Sequence, residues 1–437
     1  MAEKNNDLME KVVSLCKRRG FIYPGSEIYG GLSGTWDYGP HGATLKQNIK
    51  NSWWKRFVTD REDMYGVDAA ILMNQNVWKA TGHVAGFSDP LVECKKCKKR
   101  FRADQLADPK KCPECGGELG EARQFNMMFK TNVGVMEDES SISYLRPETA
   151  QGMFVNFKNI IDSFHPKMPF GLAQIGKAFR NEIAPRDFTF RSREFEQMEI
   201  EYFVEEKNWS DKFEHFRKEM LDWTKDIGVK GDSVHELEVA DEDRAFYSKR
   251  TIDFEFDFPF GRSELYGLAY RTDYDLKKHS EYGGVELSYF DEEKKDKFTP
   301  HCIEPSFGLD RTILAVISSA YTEDELGGEV RTYLKLSPKI APVKCAVFPL
   351  LKNKPELVAK AREVYEMMRK EFACEFDDNG NIGKRYRRQD EIGTPFCVTI
   401  DFETIEKDAS VTIRDRDTGE QKRMPISELV SYIKSQI

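Results

Sequence analysis

Three observations in this 437-residue sequence predict an α+β fold built on an antiparallel sheet flanked by helices. Two stretches around residues 178–204 alternate polar and apolar side chains with period two and are joined by a loop, as in a hairpin. Leu309, Ile313, Val316, Ile317 and Ala320 form an apolar stripe at helical spacing directly after a strand-like segment. After Ser337-Pro-Lys-Ile-Ala-Pro342, whose prolines mark a linker, strand, helix, strand and hairpin patterns alternate as in a small mixed sheet. The expected organisation is a main unit at 1–340, interrupted by an insert at about 88–122, and a second unit at 341–437.

The elements follow in order. Met1 to Arg19 reads as an amphipathic helix (Leu8, Val12, Leu15); its mixed acids and bases argue against a signal peptide. A Gly-rich stretch leads to a helix from about Gly42 to Val58, with Leu45, Ile49, Trp53 and Phe57 on one face, and a strand is expected at Ala69–Met73. In the insert, Cys94-Lys-Lys-Cys97 and Cys112-Pro-Glu-Cys115 are two CxxC knuckles separated by fourteen residues. Each can present two thiolates to one tetrahedral zinc ion, and four thiolates leave no open position, so the zinc is expected to be structural. The other cysteines, Cys16, Cys302, Cys345, Cys374 and Cys397, are scattered singly and read as small core residues. An odd total of nine argues against a disulfide framework. Further on come a helix at Asp211–Ile227 and a half-buried strand at Thr251–Phe260, where Ile252, Phe254, Phe256 and Phe258 alternate with Asp253, Glu255 and Asp257. The second unit should hold a strand at Val343–Phe348, a helix at Glu356–Phe372, a strand at Pro395–Asp401 and a hairpin at Ser410–Gln421.

No stretch reaches the apolar length of a membrane span, and the protein is expected to be cytoplasmic with no membrane partner. The net charge of −9 resides in residues 1–340, since residues 341–437 balance acids against bases. A nucleic-acid partner would therefore be met by local basic patches. Lys384-Arg-Tyr-Arg-Arg388 is the densest; a solvated helix face is its other reading.

The hairpin carries unusual chemistry. Ala178, Arg180 and Glu182 should share one face of the outgoing strand, with Phe179 on the other. On the returning strand Phe195, Gln197, Glu199 and Glu201 share a face opposite the apolar Met198, Ile200, Tyr202 and Val204. The loop adds Arg186, Arg191 and Arg193. Guanidinium groups for phosphates, a ring for stacking and carboxylates for an exocyclic amine suit a nucleotide. The bland alternative is an exposed hairpin laced with surface ion pairs. In the second segment Glu304, Ser306, Gly308 and Arg311 sit where a strand turns into a buried helix, whose positive end favours phosphate.

These segments resemble motifs 2 and 3 of the class II aminoacyl-tRNA synthetases. Phe179-Arg-Asn-Glu182, Phe190-Arg-Ser-Arg-Glu-Phe-Glu-Gln-Met-Glu199 and Glu304-Pro-Ser-Phe-Gly-Leu-Asp-Arg311 are similar to the homodimeric glycyl type. So are Gly25-Ser-Glu-Ile-Tyr-Gly-Gly31, Thr35-Trp-Asp-Tyr-Gly-Pro40, Leu145-Arg-Pro-Glu-Thr-Ala-Gln-Gly152 and Gly267-Leu-Ala-Tyr-Arg-Thr-Asp-Tyr-Asp275. With Ile382-Gly-Lys-Arg-Tyr-Arg-Arg-Gln-Asp-Glu-Ile-Gly-Thr-Pro-Phe396, the resemblance spans essentially the whole chain.

The resemblance implies a class II catalytic domain with a zinc-ribbon insert and a C-terminal mixed α/β anticodon-binding domain. It implies ATP-dependent activation of glycine to glycyl-adenylate and transfer to the 3′ end of tRNA(Gly). Arg180 and Arg311 would be catalytic, and ATP would also meet Asn181, Glu182, Phe190, Arg191, Arg193, Phe195, Glu264, Leu265 and Gly308. Glycine would lie among Glu148, Phe195, Gln197, Glu199, Glu304 and Ser306, Arg102 would meet either glycine or the tRNA acceptor end, and Glu264 would hold Mg²⁺. A homodimer is implied through motif 1, the helix at 42–58 with the strand after it, although Gln75 stands where the family has a proline. A non-catalytic relative would have lost Arg180, Glu182 or Arg311, and all three are present.

Overall fold

The computed structural model describes residues 2–135 and 138–437. At its centre lies a seven-stranded sheet. Its strands are β1 (Met64–Gly66), β2 (Phe170–Phe179), β3 (Glu194–Val204), β4 (Val234–Glu238), β5 (Arg250–Phe258), β6 (Gly261–Thr272) and β7 (His301–Gly308). The order is β4-β5-β6-β7-β3-β2-β1, antiparallel throughout except where the edge strand β1 runs parallel to β2. The expected hairpin is the β2–β3 pair, with Phe195 opposite Ala178 and Met198 opposite Ile175.

Alternation divides the faces of this sheet. Met198, Ile200, Tyr202 and Val204 are fully buried against helices on one side. Those helices are α1 (Ala2–Arg18), α2 (Pro40–Trp54), α4 (Trp209–Asp226) and α6 (Leu309–Ala320). Phe307 of β7 is the hub, with the rings of Trp53, Phe57 and Trp223 all within 6 Å of it. Its neighbours Glu304, Ser306 and Gly308 thus belong to the other face. There α3 (Ala150–Phe164) and α5 (Tyr274–Gly283) close a second core of Phe154, Phe157, Phe170 and Phe203.

The helix read at Met1–Arg19 is α1; Met1 lies outside the described residues, while Val12 and Leu15 are buried as expected. The strand expected at Ala69–Met73 does not form. Ala69 gives its carbonyl to the buried Arg146 guanidinium (2.7 Å), and within 69–73 only Leu72 makes a bridge, to Leu145. The parallel edge strand is the earlier β1. The outgoing hairpin strand also stops at Phe179, short of Glu182, because the Asn181 N–H turns away to the Met127 carbonyl.

Residues 345–425 build a five-stranded mixed sheet: β8 (Cys345–Pro349), β9 (Cys374–Phe376), β10 (Phe396–Ile400), β11 (Ser410–Asp415) and β12 (Gln421–Pro425). The order is β9-β8-β10-β11-β12; β8 runs parallel to β9 and β10, and the remaining pairs are antiparallel. Helix α7 (Pro355–Met368) packs Leu357, Ala361 and Val364 with Val347 and Val398 on one face. Helix α8 (Ile382–Ile392) packs Tyr386 with Phe348 and Cys397 on the other. Two single cysteines are in fact neighbours: Cys345 Sγ lies 3.3 Å from Cys374 Sγ, because parallel pairing sets them side by side. Contacts to the first unit include His41 Nε2 with Glu375 (2.8 Å), Arg18 with Glu391 (3.2 Å) and Arg416 donating to the Leu336 carbonyl (2.9 Å).

The basic run at 384–388 is largely engaged within the fold. Arg385 is buried and donates to the carbonyls of Pro349, Asp378 and Gly380; Arg388 pairs with Asp377 and Arg387 with Glu329. Among the described residues no helix is long and apolar enough to cross a membrane.

Candidate active site

A cleft of about 340 Å³ opens on the polar face of the central sheet, floored by β3, β6 and β7. Its outer end is cationic and aromatic. Arg180 follows β2, anchored by its N–H to the Arg193 carbonyl (2.9 Å) and by Nε to the Pro147 carbonyl (3.1 Å). Its guanidinium lies 5.3 Å over the Phe195 ring and 5.4 Å over Phe87. Arg311, in the first turn of α6, lies 4.4 Å over Phe190 and pairs with Glu264 of β6 at 3.0 Å. Phe190 is backed in turn by Phe258 and Phe260. Glu182 is buried, with Arg191 3.3 Å away.

Arg311 holds the Glu264 carboxyl below its usual range. Asp253, at the same mouth and expected only as a strand residue, behaves oppositely: burial, then Glu264 and Glu255, push it up to about 7 against Arg311. Leu265 and Gly308 also line the cleft.

Three expected contacts stand elsewhere. Arg193 is spent on backbone, donating to the carbonyls of Ser33 (2.7 Å) and Glu182 (3.1 Å). Asn181 is the residue at which the chain leaves the sheet, and it does not line the cleft. Arg102, on the insert, is held by Asp89 and Asp104 at 2.7 Å each and lies outside the lining too.

The inner end is a buried set of carboxylates. Glu199 of β3 accepts hydrogen bonds from the Thr149 N–H (2.9 Å), the Thr149 hydroxyl, Gln197 Nε2 (2.7 Å) and the Ser306 hydroxyl (2.7 Å). Glu148 meets Gln151 (2.9 Å) and His83 (3.4 Å). Burial would raise its pKa, but His83, Arg271 and Gln151 outweigh this and hold it well below the carboxylate range. Glu304 of β7 meets the Arg271 guanidinium at 2.8 Å. There burial prevails over Arg271, and with Glu199 and Glu148 nearby the carboxyl is pushed up to about 8. Gln197 keeps one buried carbonyl oxygen without a partner beside this group.

Sequence reasoning missed what holds these carboxylates. Arg271 is 1 % exposed, forked onto Asp275 (2.8 and 2.9 Å), and stacked 4.0 Å over Tyr247. Asp275 accepts from Gln151 (3.0 Å), whose oxygen meets His279 (2.8 Å). Arg271, Asp275 and Gln151 lie inside segments that carried the resemblance, the one available signal for them. His83 and Tyr247 had none.

Comparison with known proteins gives the family. Residues 129–320 match the tRNA synthetase class II core domain (G, H, P, S and T), and residues 344–436 match an anticodon binding domain. The glycine–tRNA ligase of Lachnospira eligens is 52 % identical over 98 % of both chains. That of Clostridium tetani is 51 % identical over 98 % of both, and that of Geobacillus kaustophilus 50 % over 98 % of this chain and 99 % of its own. The chain belongs to the glycine–tRNA ligase family.

In this glycine–tRNA ligase family member the insert gathers four thiols. Sγ of Cys94, Cys97, Cys112 and Cys115 all lie within 4.8 Å of one another, with Cys94–Cys115 at 3.5 Å and Cys97–Cys112 at 3.7 Å. Zinc–sulfur bonds of about 2.3 Å in a tetrahedron set sulfurs roughly 3.8 Å apart, so the set fits that ion. Gly117 leaves room for it: a Cβ there would stand 3.2 Å from Cys94 Sγ and 3.3 Å from Cys115 Sγ.

Proposed function

We propose that this chain is a glycine–tRNA ligase that forms glycyl-adenylate in the cleft and passes the glycyl group to the 3′ end of tRNA(Gly). The carrying observation is the cleft's polarity: an open arginine and phenylalanine end meets a buried carboxylate end on one sheet face. Full-length identity to glycine–tRNA ligases supports it.

In the first step a glycine carboxylate oxygen attacks the α-phosphorus of ATP, the bond to the β-phosphate bridging oxygen breaks, and pyrophosphate leaves. A carboxylate is already a nucleophile, so positioning and charge neutralisation do the catalysis. Arg180 would hold the α-phosphate, Phe195 would stack under the adenine, and Glu182 would accept from its amine. Arg311 would cover the other face and the γ-phosphate. Glu264 would ligate Mg²⁺, a hard cation suited to carboxylate oxygen, which supplies further charge neutralisation at the phosphates. Glu148, Glu199 and Glu304 with Ser306 would receive the glycine ammonium, leaving no room for a side chain. In the second step a terminal ribose hydroxyl attacks the glycyl carbonyl carbon and AMP leaves. Zinc on the four cysteines would hold the insert's fold.

We assign catalysis to residues 1–340 and anticodon binding to residues 341–437, in a cytoplasmic homodimer. The edge position of β1 beside α2 suits a dimer contact at motif 1. The test is ATP–pyrophosphate exchange with glycine, alanine and serine in turn, followed by charging of tRNA(Gly). Exchange with glycine alone, and charging, are expected; comparable exchange with alanine or serine would overturn the substrate assignment.

A further inference from the structure

Behind the nucleotide end of the cleft lies a buried ionic cluster that the mechanism above does not use. Helix α2 turns a lysine inward: Lys46 is 8 % exposed, and its ammonium pairs with Glu196 and lies 3.5 Å from Asp310 and 4.3 Å over the Tyr38 ring. Lys50, one turn on, reaches the other oxygen of Glu196 (2.8 Å). Asp310 is fully engaged: one oxygen accepts the Glu196 N–H (2.7 Å) and the other the Tyr38 hydroxyl.

The two carboxylates have telling neighbours. Glu196 stands between Phe195 and Gln197 on β3, and Asp310 immediately precedes Arg311 on α6. A hydrogen bond between the Asp310 side chain and the β3 backbone therefore sets the register of the helix that carries Arg311 against the strand that carries Phe195. Both acids are more than nine-tenths buried. Two buried carboxylates this close repel unless a cation sits between them. Lys46 is that cation, and it comes from a third element.

We propose that Lys46 is a positioning residue for the nucleotide: its ammonium, with the Tyr38 hydroxyl, clamps Glu196 and Asp310 so that Arg311 and Phe195 face one another across the cleft. The glycine carboxylates are held by separate partners, Thr149, Gln151 and Arg271, so the clamp acts on ATP and spares glycine. This rests on the cleft binding ATP and glycine as proposed above.

The experiment measures the KM for ATP and for glycine separately by pyrophosphate exchange in wild type, Lys46→Met and Tyr38→Phe, with thermal unfolding of each. Lys46→Met is expected to raise the ATP KM at least tenfold while the glycine KM stays within twofold. Tyr38→Phe, which removes one hydroxyl and keeps the ring, should raise the ATP KM roughly threefold and keeps the test open should Lys46→Met not fold. An unchanged ATP KM in folded Lys46→Met, an equal rise in both KM values, or an unchanged ATP KM in Tyr38→Phe would each overturn the clamp. Wild type that exchanges with glycine while the variants behave as wild type overturns only the clamp; wild type without glycine-dependent exchange overturns the reading beneath it.

Discussion

The two ends of the cleft solve opposite problems with the same side chains. At the outer end Arg180, Arg191 and Arg311 are partly exposed, each resting on a ring or a single carboxylate that a phosphate can displace. At the inner end Arg271 is sealed, with both of its acidic partners, Asp275 and Glu304, at 2.8 Å. On the proposed reading, ATP, large and highly charged, would be met by charges still partly exposed. Glycine would be met by a buried, pre-assembled set. Exposed ion pairs contribute little to stability, whereas buried ones are costly to break. Function and stability should thus separate along the cleft.

That separation can be broken by comparing two arginines. Arg271→Met strands the buried Asp275 carboxylate, and removing one partner of a buried pair costs about 3–5 kcal/mol. Its unfolding midpoint in urea should fall markedly. Arg311→Ala leaves only Glu264, which is half exposed, without its partner, so stability should change by less than about 1 kcal/mol. Exchange should nevertheless fall by about 10²–10³, the typical loss for one preorganised charge stabiliser. Equal destabilisation by the two variants would refute the contrast.

A pH series sharpens the same contrast at the inner end. Burial and the nearby Glu199 and Glu148 push Glu304 up to about 8 against the pull of Arg271, so this carboxyl is expected to carry a proton at neutral pH. An ammonium is bound best by the ionised form, so glycine binding should release that proton. The KM for glycine should fall roughly tenfold between pH 6.5 and 8.5. The folded pKa lies above the unfolded one, so this group's contribution to stability is intact below the ordinary carboxylate range and is lost as pH rises through about 8. Glycine should offset that loss. Glu304→Gln should bind glycine more weakly with a flat profile, and a wild-type KM independent of pH would show that Glu304 is already ionised.

What the sequence revealed of this arrangement follows its range of interaction. Period-two alternation placed Phe195, Gln197 and Glu199 opposite Met198 and Ile200, because neighbouring residues on one strand decide that face. The stripe from Leu309 to Ala320 placed Arg311 in a first helical turn for the same local reason. Partners distant in the chain were silent: Arg271 meets Glu304 33 residues on, and Gln151 meets Asp275 124 residues on. Composition was silent on which member of the Lys384–Arg388 run turns inward: Arg385, which donates to backbone carbonyls. The apolar run Ala69–Met73 misled because Arg146, far along the chain, claims the carbonyl that a ladder would need.

The smallest effect should come from a fully buried acid beneath the cleft. Glu201 shares its face with Glu199 and is fully buried. Burial raises its carboxyl well above the usual range, the nearby Glu304 adds to this, and Arg271 opposes it. One of its oxygens has only the Cys302 thiol, 2.9 Å away, and the other has no hydrogen-bond partner. A neutral carboxylic acid tolerates such surroundings, whereas an anion would not. Glu201→Gln replaces a neutral group by one of the same shape, so stability should shift by less than about 0.5 kcal/mol and the KM for glycine by less than twofold. If Glu201 were charged, the same substitution would remove a negative charge beside Glu304, bring the Glu304 pKa down and displace its pH profile. An unshifted profile in Glu201→Gln would mark Glu201 as the neutral floor beneath the proposed ammonium site of Glu148, Glu199 and Glu304.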